Sequence, residues 1–575
     1  MKLEANFKPY VGSRNTQPLL KRIFRSLAFF ALCQFAALAQ QPSTANPPSA
    51  PAATNIDQYI HQAWGTLSRS MTDCHSLIDP KLTAAPVLYL PQEIAEPPEV
   101  AALQSQCNVS IERLPRRITH IGDIDPRSIQ TPGLLYLPNK YIVPGGRFNE
   151  MYGWDSYFIL LGLLKDGHID IARGMVENFF FEIAHYGSIL NANRTYYLTR
   201  SQPPFLSSMI RDVYEAQLSA NPNEQKQADA WLASAYGYAV QDHNLWLDDF
   251  HRAGGTGLAR YFDLGEGPVP EQEDDSTYYP DVIRWLLAHP DVHTDYLVEA
   301  PDQPDAAEQA KLAKLSCDPR VSKVCAHAHV DGHWLSEDFY RGDRAMRESG
   351  YDPSFRFGPF SGSTHHNAPI CLNSLLYKYE RDLAWMAAKL GKPSEAKQWN
   401  AQADARKAAI NKYLWNAAEG MYFDYDYMQH KQSTYRYLTT FYPFWAGLTD
   451  EQQTIGLEKS LHWFEQPGGL AMSTYDSGTQ WDLPYGWAPP SWIAIAGLRK
   501  VGDIKDARRV SEKFSQTIAT NFDRDRTIHE KYDIVHGSSE LNVATGYKTN
   551  VVGFGWTNAA YLKMQQLLAE TGSKQ

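Results

Sequence analysis

The sequence predicts an all-α protein whose helical hairpins close into a ring, with long loops gathered at one end. Three observations carry this. Apolar residues recur at three- and four-residue steps in paired runs along most of the chain, and those pairs share no strict sequence repeat. An open solenoid of interchangeable units would show such a repeat, so a closed ring fits better. Third, the residues that break the helical rhythm are concentrated in five stretches: 187–205, 265–275, 350–363, 468–490 and 523–556. Each is dense in Gly, Pro, Arg, aromatic and acidic residues. Function concentrates in loops held by a rigid scaffold, so five such loops on a helical core predict one deep, aromatic-lined pocket.

The elements follow in order. Asp155 opens a run with Phe158, Leu161 and Leu164 on one side; Gly167 interrupts it, and a second run covers Ile171 to Ile183. Leu376, Tyr379, Leu383, Met386 and Leu390 mark a helix over 375–390 that stops at Gly391-Lys-Pro393. Ser394 is then expected to cap a helix running to about Trp415. The same rhythm returns over 492–498, 505–522 and 558–570.

The amino terminus reads as an export signal. Lys21, Arg22 and Arg25 precede an apolar run from Leu27 to Leu38 that ends in Ala37-Leu-Ala39. A charged region, a short apolar core and an A-x-A site suit a cleaved secretory signal over residues 1–39, and the run is too short to span a bilayer. A periplasmic or secreted protein is therefore expected. Residues 40–56, rich in Pro, Ala, Ser and Gln, read as a flexible leader, and residues 57–575 as a single catalytic domain.

Residues 1–39 carry six Lys or Arg and one Glu; removing that net +5 from the chain's −11 leaves −16. A surface that acidic repels nucleic acid and anionic membranes, and no later run has the length of a membrane helix. Five cysteines follow residue 39. In an oxidising compartment Cys74–Cys107 and Cys317–Cys325 are the first pairs to consider, with one left over. Cys317 and Cys325 lie near His327, His329 and His333, but the spacing matches no standard zinc pattern, so a solvent-facing loop is the simpler reading and no metal is expected.

Two segments carry more chemistry than the rest: Pro144-Gly-Gly-Arg-Phe-Asn-Glu-Met-Tyr-Gly-Trp-Asp155 and Gln480-Trp-Asp-Leu-Pro-Tyr-Gly-Trp-Ala-Pro489. The glycines let the backbone approach a ligand closely. An arginine, carboxylates and aromatic faces beside them suit a pyranose, apolar on its C–H faces and polar around its rim. One such segment alone could be a glycine turn that starts a helix. Two of them favour a shared pocket.

These segments together resemble the two hallmark segments of the trehalase family of glycoside hydrolases. The similarity continues, in order, through residues 191–205, Ser349-Gly-Tyr-Asp352, Glu530-Lys-Tyr532 and Gly553-Phe-Gly-Trp-Thr-Asn558. The resemblance implies a six-hairpin α/α toroid (barrel) with long active-site loops. It implies hydrolysis of α,α-trehalose to two glucoses with inversion, with Asp352 as acid and Glu530 as base, and no cofactor. By the same match Arg147, Trp154, Asp155, Asn191, Arg200 and Gln202 would hold the glucose at the cleaved bond. Phe148, Ser201, Glu271 and Gly350 would belong to the same lining, while Trp481, Trp487, Gln480 and Asp482 would supply faces and polar groups. The partners expected are a small-molecule disaccharide and water, and a monomer is expected.

The match departs from the family in places. An Arg-Pro-Glu segment reads Val269-Pro-Glu271, the tryptophan before the acid is Tyr351, and an aspartate becomes Cys371. A glutamate before Gly-Phe-Gly-Trp has only Tyr547 or Glu540 as its nearest candidates. Arg344, Arg347 and Arg356 are the guanidinium groups that could replace the lost one. The alternatives kept open are a related α-glucosidase acting on another α-linked disaccharide, and a sugar-binding protein without activity.

Overall fold

Helices that are apolar all round alternate along the chain with helices buried on one stripe only, and this alternation sorts them into an inner and an outer layer. The computed structural model describes residues 55–78, 86–269, 271, 277–292, 295–299, 306–307 and 328–572. Residues Ala52–Gln575 form one compact unit. The expected signal segment and the proposed Cys317–Cys325 pair lie outside the described residues.

The helices that build the frame are α1 (Ile56–Thr66), α2 (Gly153–Lys165), α3 (Ile169–Tyr186), α4 (Leu206–Ala220), α5 (Gln225–Leu245), α6 (Glu337–Ser349), α7 (Ile370–Lys389), α8 (Pro393–Tyr413), α9 (Tyr442–Ala446), α10 (Glu451–Ser460), α11 (Ala488–Val501), α12 (Ile504–Asp525) and α13 (Gly555–Gly572). Helices α2, α4, α7, α9, α11 and α13 pack side by side in that order, and α13 packs back on α2, which closes the ring. Helix α2 buries ten of its thirteen residues, as an inner helix must. By contrast α12 buries Ala507, Val510, Phe514, Ile518 and Phe522 along one stripe and leaves its Lys and Arg side outward. Among the described residues α1, α3, α5, α8 and α12 form the second layer against the inner ring. The expected all-α barrel is the observed architecture.

Boundaries differ from expectation in instructive ways. Helix α8 begins at Pro393 with Lys392 as its cap residue and no side-chain cap bond, so Ser394 lies inside the first turn. Proline fits that first position because its missing N–H has no intrahelical partner there. Helix α1 begins at Ile56, with the Asn55 side chain accepting from the Gln58 N–H at 2.8 Å. Among the described residues, no helix is long and apolar enough to cross a membrane.

The sequence reading missed a small parallel sheet. Val87–Leu90 is its centre, flanked by Ser110–Arg113 and Leu134–Leu135. The central strand is buried at all four positions, which hides the alternation that marks a half-exposed strand. A Cys74–Cys107 disulfide ties the helix Pro98–Cys107 of this unit to the helix Cys74–Leu77, and Cys371 is free and buried. A second small core, around Val269, Tyr278, Tyr279, Ile283, Tyr340 and Phe360, covers α6 and the segment after it.

The bridge joins residues 33 apart in sequence. Loop-closure entropy for that span is worth about 3–4 kcal/mol. The Cys74→Ser/Cys107→Ser protein is therefore expected to unfold at a lower urea midpoint than the oxidised protein. Coincident curves would mean that the bridge does not form in solution.

Candidate active site

Residues from all five irregular loops, together with residues 144–155, line one open-mouthed cavity of about 910 Å³, the solvent at its mouth included. Of the residues expected from sequence, Arg147, Phe148, Trp154, Asp155, Asn191, Arg200, Gln202, Glu271, Gly350, Asp352, Gln480, Trp481, Trp487 and Glu530 line it. Ser201 and Asp482 do not. The Ser201 hydroxyl donates to the Ile189 carbonyl at 2.6 Å and its N–H to Glu348 at 3.3 Å, so it braces the wall from behind. Asp482 is buried and accepts from the Phe355 N–H at 2.9 Å and the Ser477 hydroxyl at 2.6 Å, tying its own loop to the one that follows Asp352. Tyr152, Tyr196, Tyr197, Arg347, Tyr547, Phe554 and Trp556 complete much of the lining. Of these, Tyr547 and Arg347 carried a signal as the nearest substitutes for missing family residues; Glu540 is not in the wall.

The floor is aromatic. Trp481 and Trp487 stack with ring centroids 3.8 Å apart and planes 5° apart, and Trp154 packs against Trp481, Trp556 and Tyr351. Trp487 donates its indole N–H to the Gln480 carbonyl at 2.8 Å, which fixes the ring's rotation. Gln480 in turn donates to the Asp352 backbone carbonyl at 2.5 Å.

Asp352 follows α6, whose last turn ends at Gly350 with φ of +77°. A Cβ there would also lie 2.8 Å from the Trp154 ring, so the position needs glycine on both counts. The Asp352 side chain is 20 % exposed. Burial pushes its carboxyl up to about 6, opposed by the charges of Arg347 and Arg200 and assisted by those of Glu271 and Asp343. Arg347 reaches Asp352 at 3.4 Å and donates to the Tyr547 hydroxyl at 3.0 Å, while its other edge faces Asp343 at 3.3 Å.

Glu530 enters from the far end of the chain. The strand Lys531–Asp533 pairs antiparallel with Tyr485–Trp487, Trp487 opposite Lys531, which sets Glu530 beside the tryptophan floor. Lys531 is fully buried, donates to Glu530 Oε2 at 3.0 Å and lies 4.9 Å from the Trp487 ring centroid. Asp155 lies between the two groups in electrostatic terms. Burial raises its carboxyl well above the usual range, and the Glu530 and Asp352 charges raise it further.

On the remaining wall Arg200 pairs with both Glu271 and Asp263. Among the described residues Glu271 Oε2 and Gln480 Oε1 make no hydrogen bond within the protein, although both residues face the cavity. These are acceptors suited to hydroxyl groups. The departures from the family pattern also find their places. Arg344 donates to Asp263 and to the carbonyls of Glu266, Gly267 and Pro268, bracing a loop, while Arg356 is buried against Asp424 at 2.7 Å and Cys371 at 3.4 Å. Of the three arginines considered as substitutes, Arg347 is the one in the lining.

The Trehalase family model matches residues 34–569. The chain is 34% identical to a probable trehalase of Eremothecium gossypii over 87% of this chain and 71% of that protein. It is likewise 34% identical to a cytosolic neutral trehalase of Saccharomyces cerevisiae, over 87% of this chain and 70% of that one. The solved structure of a neutral trehalase from Saccharomyces cerevisiae superposes with a TM-score of 0.71 at 32% identity, covering 89% of this chain and 93% of the other. These names correct one expectation. Relatives from several fungi are called cytosolic neutral trehalases, which tells against the expected periplasmic or secreted protein. The export reading rested on short compositional cues, charge then apolar then small, and the family match already begins at residue 34 inside them. With the motifs in order, the barrel in place and the match running nearly end to end, the chain belongs to the trehalase family.

Proposed function

We propose that the protein hydrolyses α,α-trehalose to two glucose molecules with inversion, Asp352 acting as general acid and Glu530 as general base. The observation that carries this reading is the unequal treatment of two carboxyl groups in one cavity. Burial holds Asp352 up to about 6, whereas Glu530 has a buried ammonium 3.0 Å away. An inverting glycosidase needs that asymmetry: a protonated acid at the bridging oxygen and an ionised base on the opposite face to activate water. The substrate follows from the names of the relatives.

Each remaining group has a physical task. Asp155 meets a sugar hydroxyl with its carboxyl group, and Glu271 and Gln480 accept from others. The tryptophans offer faces to the ring C–H groups. Lys531 holds one oxygen of Glu530 and leaves the other free for water. Binding contacts raise the rate only where they tighten as the ring flattens toward an oxocarbenium ion.

Asp352→Asn and Glu530→Gln are expected to lower kcat by about 10²–10⁴-fold each with sugar affinity kept. NMR of the first turnover should show one β-glucose for each α-glucose. Two α-glucoses would refute inversion, and an untouched trehalose beside a cleaved maltose or kojibiose would refute the substrate. Lys531→Met should lower kcat by about 10–100-fold with little change in KM, and Lys531→Arg should recover part of it; unchanged kcat would remove Lys531 from the mechanism.

The acid must carry its proton, so kcat/KM should fall as pH rises above about 6. The same shift bears on stability. The folded value lies above the unfolded value of 3.8, so the stabilising contribution is present in full below pH 4 and is lost as pH rises through about 6. Asp352→Asn escapes that loss. It should be more stable than the parent at pH 8 by about 3 kcal/mol and equal to it at pH 4, read from urea midpoints. A pH-independent difference would contradict the buried-acid assignment.

A further inference from the structure

Asp338, His365 and His366 form a cluster away from the cavity. Asp338 sits in the first turn of α6, behind the Ser336 cap, and the two histidines end the segment that begins at Asp352. His365 Nε2 lies 2.9 Å from Asp338 Oδ1 and His366 Nε2 lies 3.6 Å from the same oxygen. One donor atom from each residue falls within 4.8 Å of the other two. We infer that these three side chains form a binding site for a divalent transition-metal ion of the zinc class, placed outside the catalytic cavity.

The backbone holds the two imidazoles in position beforehand. Arg260 Nη1 and the Tyr427 hydroxyl both donate to the His365 carbonyl, at 2.9 and 3.0 Å, and the Tyr427 N–H donates to the His366 carbonyl at 3.1 Å. The rings lie 3.9 Å apart between centroids. Among the described residues the His365 ring bonds only to Asp338, since its Nδ1 has no partner. His365 is almost fully covered, whereas the Asp338 side chain is 48 % and the His366 side chain 26 % exposed, so an ion can enter from solvent and keep a water ligand.

The chemistry selects the ion. One carboxylate stands near two guanidinium groups, Arg341 and Arg260, whose charges act on Asp338 and His365 respectively. A hard cation held by charge alone gains little there. Two imidazoles and one carboxylate suit zinc, nickel or copper, with an open position left for water. The ion would take no part in hydrolysis. It would join the start of α6, which carries Arg347, to the far end of the segment that carries Asp352.

The test is titration of the full chain, free of any affinity tag, with zinc chloride, followed by calorimetry and thermal unfolding, beside His366→Ala and Asp338→Asn. The expected result is one zinc per chain in the parent, a saturable rise in its unfolding midpoint, and at least tenfold weaker binding in both variants. Magnesium at the same concentration should leave the midpoint unmoved. The variants' midpoints without zinc report whether they fold. Absence of zinc binding in the parent, or equal affinity and stoichiometry in folded variants, would overturn the site.

Discussion

Arg347 faces two carboxylates at once, and the chemistry depends on which of them takes its charge. Asp343 meets the guanidinium along one edge with two contacts at 3.3 Å, and Asp352 meets the other edge with a single contact at 3.4 Å. Asp343 is wholly buried and accepts from the Tyr278 and Tyr279 hydroxyls, at 3.2 and 2.8 Å, which hold its oxygens against the guanidinium. Arg347 is thereby largely neutralised from behind. Its remaining pull on Asp352 is smaller than the desolvation of that group, so the acid keeps a raised value. The second small core exists around this arrangement: Tyr278 and Tyr279 are also two of its largest buried side chains. Packing and proton affinity are one problem here.

A second buried carboxylate keeps the walls in register. Glu348, next to Arg347 on α6, accepts from the Ser201 N–H at 3.3 Å, the Phe262 N–H at 2.7 Å and His251 Nε2 at 3.1 Å. The acid's segment, the Arg200–Gln202 wall and the irregular segment leading to Asp263 therefore share one acceptor. This frame also explains how the chain tolerates its departures from the family. Val269 supplies no guanidinium, but Glu271 still finds Arg200, and Arg347 brings a guanidinium to the acid's side of the cavity. Cys371 supplies no carboxylate, but Asp424 grips Arg356 with both oxygens at 2.7 Å and accepts from the Ile370 N–H at the start of α7. Charge balance is kept by exchange of partners.

The barrel and the loops were legible because inner and outer helices differ in composition and because irregular segments concentrate unusual residues. The side of a loop was less legible. Arg200 and Gln202 face the cavity while Ser201 between them turns to the protein and donates to the Ile189 carbonyl. Asp482 turns inward beside Trp481 for a related reason: its neighbours Ser477 and Thr479 offer hydroxyl donors that an isolated aspartate in a sequence does not reveal. Phe554 and Trp556 belong to a recognised segment, yet nothing in one sequence says that their rings complete the wall. The buried parallel sheet was hidden by its uniform apolarity, whereas Cys74–Cys107 was one of the two pairs put forward from the sequence, which does not itself fix connectivity.

Gly350 shows why the opening segment and the acid, about two hundred residues apart, behave as one device. Trp154 leads α2 and lies against Trp481, Trp556 and Tyr351, so its ring cannot shift without disturbing the whole floor. The chain turns at Gly350 directly over that ring, where a side chain would come within 2.8 Å of it. Interiors packed at this density accept no extra atom without strain. The direction from which Asp352 enters the cavity is thus set by the face of Trp154. That same contact excludes water from beneath the acid, and exclusion of water is what raises its proton affinity. The glycine-rich segment therefore shapes the chemistry twice: Arg147 and Asp155 line the cavity, and Trp154 supports the loop that delivers the proton.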